Sequence, residues 1–129
     1  MPIIPTRAHG AFDYLAGLVL ILAPMLLGFA DRGPAQLVPQ VMGVLVIGLA
    51  MLTDHELGLL RLIPMPVHRM VDLGAGGFLL VSPWVFGFAG FIAWPHILFG
   101  ISILVVAHFS RTTPATPAAP YGGSGPGRP

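Results

Sequence analysis

No charged side chain occurs between Asp72 and Arg111, an uncharged run of 38 residues, and two further uncharged runs, 14–30 and 33–53, contain 17 and 21 residues. A bilayer hydrocarbon core takes about 20 helical residues. The two shorter runs each accommodate one span, and the long one accommodates two joined by a tight hairpin. The predicted fold class is all-α: four transmembrane helices, over about 7–27, 39–52, 67–86 and 95–109, arranged as two helical hairpins. Composition agrees, because 9% charged and 55% hydrophobic residues are far from the roughly 25% charge of a soluble domain. Six Arg and five acids cannot keep the surface of a 129-residue globule wet.

The same inventory narrows function. A net charge of +1 argues against a nucleic-acid binder, and the absence of cysteine removes disulfides, thiolate metal sites and thiol catalysis. There is no phosphate-binding glycine loop, nucleophile elbow or zinc-protease spacing. An enzyme is therefore the least supported class, and no catalytic residue or cofactor is assigned.

Orientation follows from arginine. Arg7, Arg61, Arg69, Arg111 and Arg128 fall on one side of the predicted spans and Arg32 on the other, so the positive-inside rule makes both termini and the middle loop cytoplasmic in a multi-pass inner-membrane protein. The hairpins 30–38 and 88–94 then face outward, with Trp84 and Trp94 as interfacial anchors. An alternative treats residues 1–30 as a cleaved signal peptide with Gly28-Phe29-Ala30 as its small-x-small site. The repeat described below speaks against it.

The integral membrane domain is expected over 1–111, with a first unit at 7–53 and a second at 67–110. Between them, Thr53 with Glu56 three residues on forms a capping-box pattern ahead of an apolar run. That predicts a short interfacial helix over 54–63, ended by Pro64 and Pro66. Residues 112–129 are rich in Pro and Gly without an apolar period, the composition of a disordered tail.

A shift of 59 residues lays 9–30 on 68–89 without a gap and with nine of 22 positions identical. The identities include His9/His68, Asp13/Asp72, Gly17/Gly76, Pro24/Pro83 and Gly28/Gly87. Shared hydrophobicity would match Leu to Leu but would not align His, Asp, Pro and Gly together. Each unit holds two spans, so the units start on the same side and form a parallel repeat about an axis along the membrane normal.

Within the second unit, Ser82-Pro83-Trp84 followed by Val85-Phe86-Gly87-Phe88 resembles the signature of the SPW-repeat family of small bacterial integral membrane proteins. The resemblance covers about residues 9–109, and the first unit has Ala23-Pro24-Met25 at the corresponding place. It implies a four-helix membrane domain in a bacterium and carries no established biochemical activity.

Pro24 and Pro83 lie inside predicted helices and strip the carbonyls of Leu20 and Leu79 of their helical donors. In lipid those carbonyls need another partner, and Ser82 is the adjacent hydroxyl in the second unit. A structural kink anchored by Trp84 is preferred to a ligand site. His9, Asp13, Gly17 and His68, Asp72, Gly76 recur at i, i+4 and i+8, which puts each trio on one helix stripe. Acids at this depth are expected to point inward, with Gly17 and Gly76 opening room for a neighbouring backbone. Two readings stay open. In one, each Asp is a structural partner of its own His, of Arg7 or Arg69, or of a facing backbone near a positive helix end. In the other, both pairs meet across the axis as a proton or metal site.

Asp54, His55 and Glu56 read as a solvated loop, His96 and His108 as residues at the two ends of helix four, and Gly43 and Gly48 as packing notches. The expected function is a structural or assembly role whose partners are membrane lipid, a second copy or another membrane protein. The alternative is proton-linked or metal-linked transport by an oligomer through the two His/Asp pairs.

Overall fold

The computed structural model of the chain describes residues 1–30 and 32–115. It contains four helices, α1 (Thr6–Leu26), α2 (Pro34–Leu52), α3 (Met65–Val85) and α4 (Trp94–Phe109), with isolated bridges and no strand among the described residues. The fold is all-α, two parallel-repeat helical hairpins. Most of the expected disordered tail, including Arg128, lies outside the described residues, as does Asp31.

Proline and glycine set the helix limits. Pro5 and Pro64 precede α1 and α3 in matching extended conformations, pre-set by the pyrrolidine ring. Gly28 and Gly87 take φ of +76° and +74° just past the ends of α1 and α3, a conformation in which a Cβ is penalised. The chain then doubles back, and Phe29 and Phe88 donate their N–H groups to Pro24 O and Pro83 O at 2.9 and 2.8 Å. Both rings turn into the interior.

α2 begins at Pro34, five residues before the expected start at Pro39. Pro34 is the proline tolerated in the first turn, and Pro39 lies inside the helix. The missing N–H of Pro39 frees the carbonyl of Ala35, and His96 Nε2 donates to that carbonyl at 3.1 Å. The second unit shows the same remedy at Pro83: Ser82 Oγ donates to Leu79 O at 2.8 Å.

Polar side chains are buried beside the apolar core, while the helix flanks are apolar. Leu15, Leu18, Val44, Leu45, Val81 and Ile101 are exposed, whereas Thr6, His9, Asp13, His68, Asp72, Ser82 and His96 are buried. In water this distribution would be costly, but in lipid it is the stable one. α1 and α2 have the length and hydropathy of membrane spans, and α4 is a shorter apolar helix. Trp84 and Trp94 are both exposed, as interfacial anchors require.

Within each hairpin the helices meet at a pair of glycines. A Cβ on Gly17 would lie 2.8 Å from Gly43 O, and one on Gly76 would lie 3.0 Å from Gly100 O. Backbones approach closely only where side chains are absent. Gly48 has nothing within 4 Å of its Cβ position, so it is no packing notch; Gly100 is the second one. Between the hairpins sits a cluster of Leu20, Met42, Leu79 and Ile103.

The halves also interlock at their ends. Ile3 and Ile4 donate their N–H groups to Phe109 O at 2.8 and 3.0 Å, as Leu62 and Ile63 do to Leu52 O at 2.7 and 2.8 Å. The bridges Ile4–Ser110 and Thr53–Ile63 complete the pattern. The repeat therefore includes Ile4-Pro5 and Ile63-Pro64, ahead of the two histidines.

This lacing corrects the expected helix over 54–63, which is instead a series of bends and turns. Leu59 and Leu60 donate to Met51 O, and Asp54 N–H to Ile63 O at 2.8 Å, so the loop folds back on the end of α2. The capping box does not form, because Thr53 Oγ1 serves Leu49 O and His68 while Glu56 serves Thr6.

Candidate functional site

The i, i+4 spacing puts His9 and Asp13 on one face of α1, and His68 and Asp72 on the matching face of α3. The two faces meet inside the bundle. His9 Nε2 lies 2.9 Å from Asp72 Oδ2 and 3.4 Å from Asp13 Oδ2. His68 Nε2 lies 2.8 Å from Asp72 Oδ2 and 3.0 Å from Asp13 Oδ2. Each histidine thus addresses both acids, one along its own helix and one across the molecule. All four side chains are at most 2% exposed. The rings of His9 and His68 meet edge to face at 5.1 Å.

The structure brings both pairs together: each Asp meets its own His, as in the first reading, and the His of the other helix, as in the second. Neither Arg7 nor Arg69 forms an ion pair with them among the described residues; Arg69 instead donates to His108 O at 3.1 Å. His108 itself is exposed. Asp72 Oδ1 and His9 Nδ1 are buried without a hydrogen-bond partner among the described residues.

The surroundings of the quartet include residues expected to be solvated. His55 is 1% exposed, its ring 6.2 Å from that of His68 and packed on Gly10, where a Cβ would come within 2.5 Å of the imidazole. Its Nδ1 accepts the Leu57 N–H at 3.1 Å, so neutral His55 carries its proton on Nε2. Burial, with neighbouring His68 second, holds His55 below the ordinary histidine range. Glu56 accepts from Thr6 Oγ1 at 2.7 Å and from the Ala115 N–H at 2.9 Å. Burial pushes its carboxyl up, but the hydrogen bonds outweigh that and leave it below the usual range.

Thr53, which its spacing to Glu56 places in a capping box, is instead a direct neighbour of the quartet. Its Oγ1 lies 2.6 Å from His68 Nδ1 and 2.6 Å from Leu49 O. The only signal available was the alignment of the two helix ends, where Thr53 corresponds to Ser110.

At the far end of the bundle, His96 packs its ring 4.7 Å from Phe88 and 5.8 Å from Phe29. With its donor spent on Ala35 O, this histidine closes a proline gap. Gly17 and Gly76 sit one turn beyond the acids at the glycine crossings, and Pro24 and Pro83 near the far ends of α1 and α3.

Among known proteins, the model of the SPW repeat domain matches residues 7–110. No curated protein and no solved structure matches the chain.

Proposed function

The chain belongs to the SPW repeat domain family, and from that premise we propose that this small membrane protein is a structural or assembly module of a bacterial inner membrane. In this reading it is multi-pass, is not an enzyme, and has both termini and the middle loop in the cytoplasm. The observation that carries the reading is the layer between the two polar ends. The His/Asp quartet lies at one end and His96 at the other, and Leu20, Met42, Leu79 and Ile103 fill the space between, with the helices drawn together at the glycine crossings. A polar path through one copy would have to cross this layer, at a desolvation cost of several kcal/mol per charge. The apolar flanks leave lipid chains, a second copy or another membrane helix as partners.

The quartet itself favours a second reading, proton-linked or metal-linked transport by an oligomer, because buried His and Asp are the groups such transport uses. Reconstitution into vesicles separates the two. The structural reading expects proton and metal-ion gradients to decay no faster with the protein than in empty vesicles. Decay that the protein accelerates and that Asp13→Asn with Asp72→Asn abolishes would favour transport.

A further inference from the structure

Thr53 fixes the tautomer of His68. Its hydroxyl has one proton, and Leu49 O, 2.6 Å away, can only accept it. At its other contact, 2.6 Å from His68 Nδ1, Thr53 Oγ1 is therefore the acceptor, and Nδ1 carries the hydrogen. A neutral His68 then presents a bare lone pair at Nε2, facing carboxylate oxygens at 2.8 and 3.0 Å. Lone pairs converge in this way only around positive charge, supplied by protons or by a metal ion.

Protons supply less of that charge. His68 can take a second proton at Nε2, facing the carboxylates, but a second proton on His9 would put a charged donor at Nδ1, which is buried without a partner among the described residues, so two carboxylates would share one imidazolium. A metal ion fits better. One donor atom from each of the four residues lies within 4.8 Å of all the others. A tetrahedral ion with bonds of about 2.0–2.1 Å separates its donors by roughly 3.3 Å, and the four nitrogen-to-oxygen approaches run from 2.8 to 3.4 Å. Two imidazoles and two carboxylates suit a divalent transition ion, whereas calcium and magnesium want six or more oxygens. Two anionic ligands balance its charge, which burial demands. Thr53 behind His68 is the outer partner that orients a metal-bound imidazole.

We propose that His9, Asp13, His68 and Asp72 bind one divalent transition-metal ion, of which zinc is the type, in a closed four-ligand site that clamps the two hairpins together. The inference rests on the structural reading above and gives that structure its fastener.

The test uses the full chain, purified in detergent with a tag free of histidine. Metal content is measured by mass spectrometry, and the chelator-stripped protein is then titrated with zinc and with cobalt. The wild type should take up about one ion per chain, gain thermal stability with zinc, and show the visible absorption of four-coordinate cobalt. Asp13→Asn with Asp72→Asn should lose at least nine-tenths of the bound ion, while His108→Asn, outside the site, keeps it. Should the double variant fail to fold, Thr53→Val leaves all four ligands in place and should weaken zinc affinity by about 10- to 100-fold. A folded wild type that takes up neither ion would overturn the site, as would retention of the ion by a folded double variant. Zinc carried across vesicles would instead overturn the structural reading and leave the site standing.

Discussion

Thr53 and Ser110 occupy the same place in the two halves of the molecule, each closing the second helix of its hairpin and each donating its hydroxyl proton at 2.6 Å to the carbonyl four residues back, Leu49 or Val106. Only Thr53 goes on to accept from a histidine. His9 Nδ1, the counterpart of His68 Nδ1, has no partner among the described residues. The site is two-fold in its ligands and one-sided in its support.

That asymmetry is measurable. Thr53→Val should strand the buried N–H of His68 and cost about 1–3 kcal/mol. Ser110→Ala strands no side chain and should cost less. Chemical denaturation of both variants in detergent checks the order, and equal losses would show that the hydroxyl acts only at the helix end.

The glycine crossings make a second prediction. Gly17→Leu and Gly76→Leu drive a side chain into Gly43 O and Gly100 O and should each cost at least about 1–3 kcal/mol, as overpacking does. Gly48→Leu and Gly77→Leu point into open space and should be nearly neutral. Gly58 cannot serve as a neutral loop control, because its Cβ position collides with Thr53 O. Thermal melting in detergent gives the comparison.

Much of this arrangement was legible in the sequence because it is local. The His, Asp, Gly and Pro identities hold register at a shift of 59, and a 3.6-residue period turns register into a shared face. The meeting of the two faces was not legible, since nothing in either helix encodes its distance from the other. The second helices hid for another reason. Gly43 and Gly100, Leu49 and Val106, and Thr53 and Ser110 are each 57 apart, so a two-residue difference between the hairpin turns breaks the ungapped alignment. The middle loop misled because Thr53 and Glu56 carry a capping pattern whose side chains are claimed by His68 and Thr6, tertiary partners that a local motif cannot reveal.

Topology is open to direct labelling, since the chain has no cysteine. Single cysteines at Leu60 and Thr113, both exposed, should react with a membrane-impermeant maleimide only from the cytoplasm, and one at exposed Ala30 only from outside. Reaction at Thr113 from outside would reverse the orientation proposed above.

Stability should fall on mild acidification, with His55 contributing. Its folded-state pKa lies below the ordinary 6.5, so the unfolded chain binds the proton first. The stability it contributes is full above 6.5 and is lost as pH drops through that value toward the folded one. Glu56 acts lower: its depressed pKa gives stability above the ordinary 4.5 that is lost as pH falls further. Denaturation midpoints of wild type, His55→Gln and Glu56→Gln should therefore diverge in two separate windows. A His55→Gln curve parallel to the wild type around 6.5 would remove the histidine from the account.

The proline gap at Pro39 gives the sharpest test of how this bundle satisfies its backbone. His96 donates to Ala35 O at 3.1 Å because Pro39 has no N–H to offer. His96→Leu should leave that carbonyl without a donor in a low-dielectric interior and cost about 1–3 kcal/mol. In a Pro39→Ala background the restored N–H of residue 39 can reach Ala35 O along the helix, so the same His96→Leu change should cost much less. The coupling between the two positions should be at least about 0.5 kcal/mol, in the sense that the second change repairs the first. Additive losses in the cycle would mean that His96 is held by its packing on Phe29 and Phe88, with the carbonyl bond incidental.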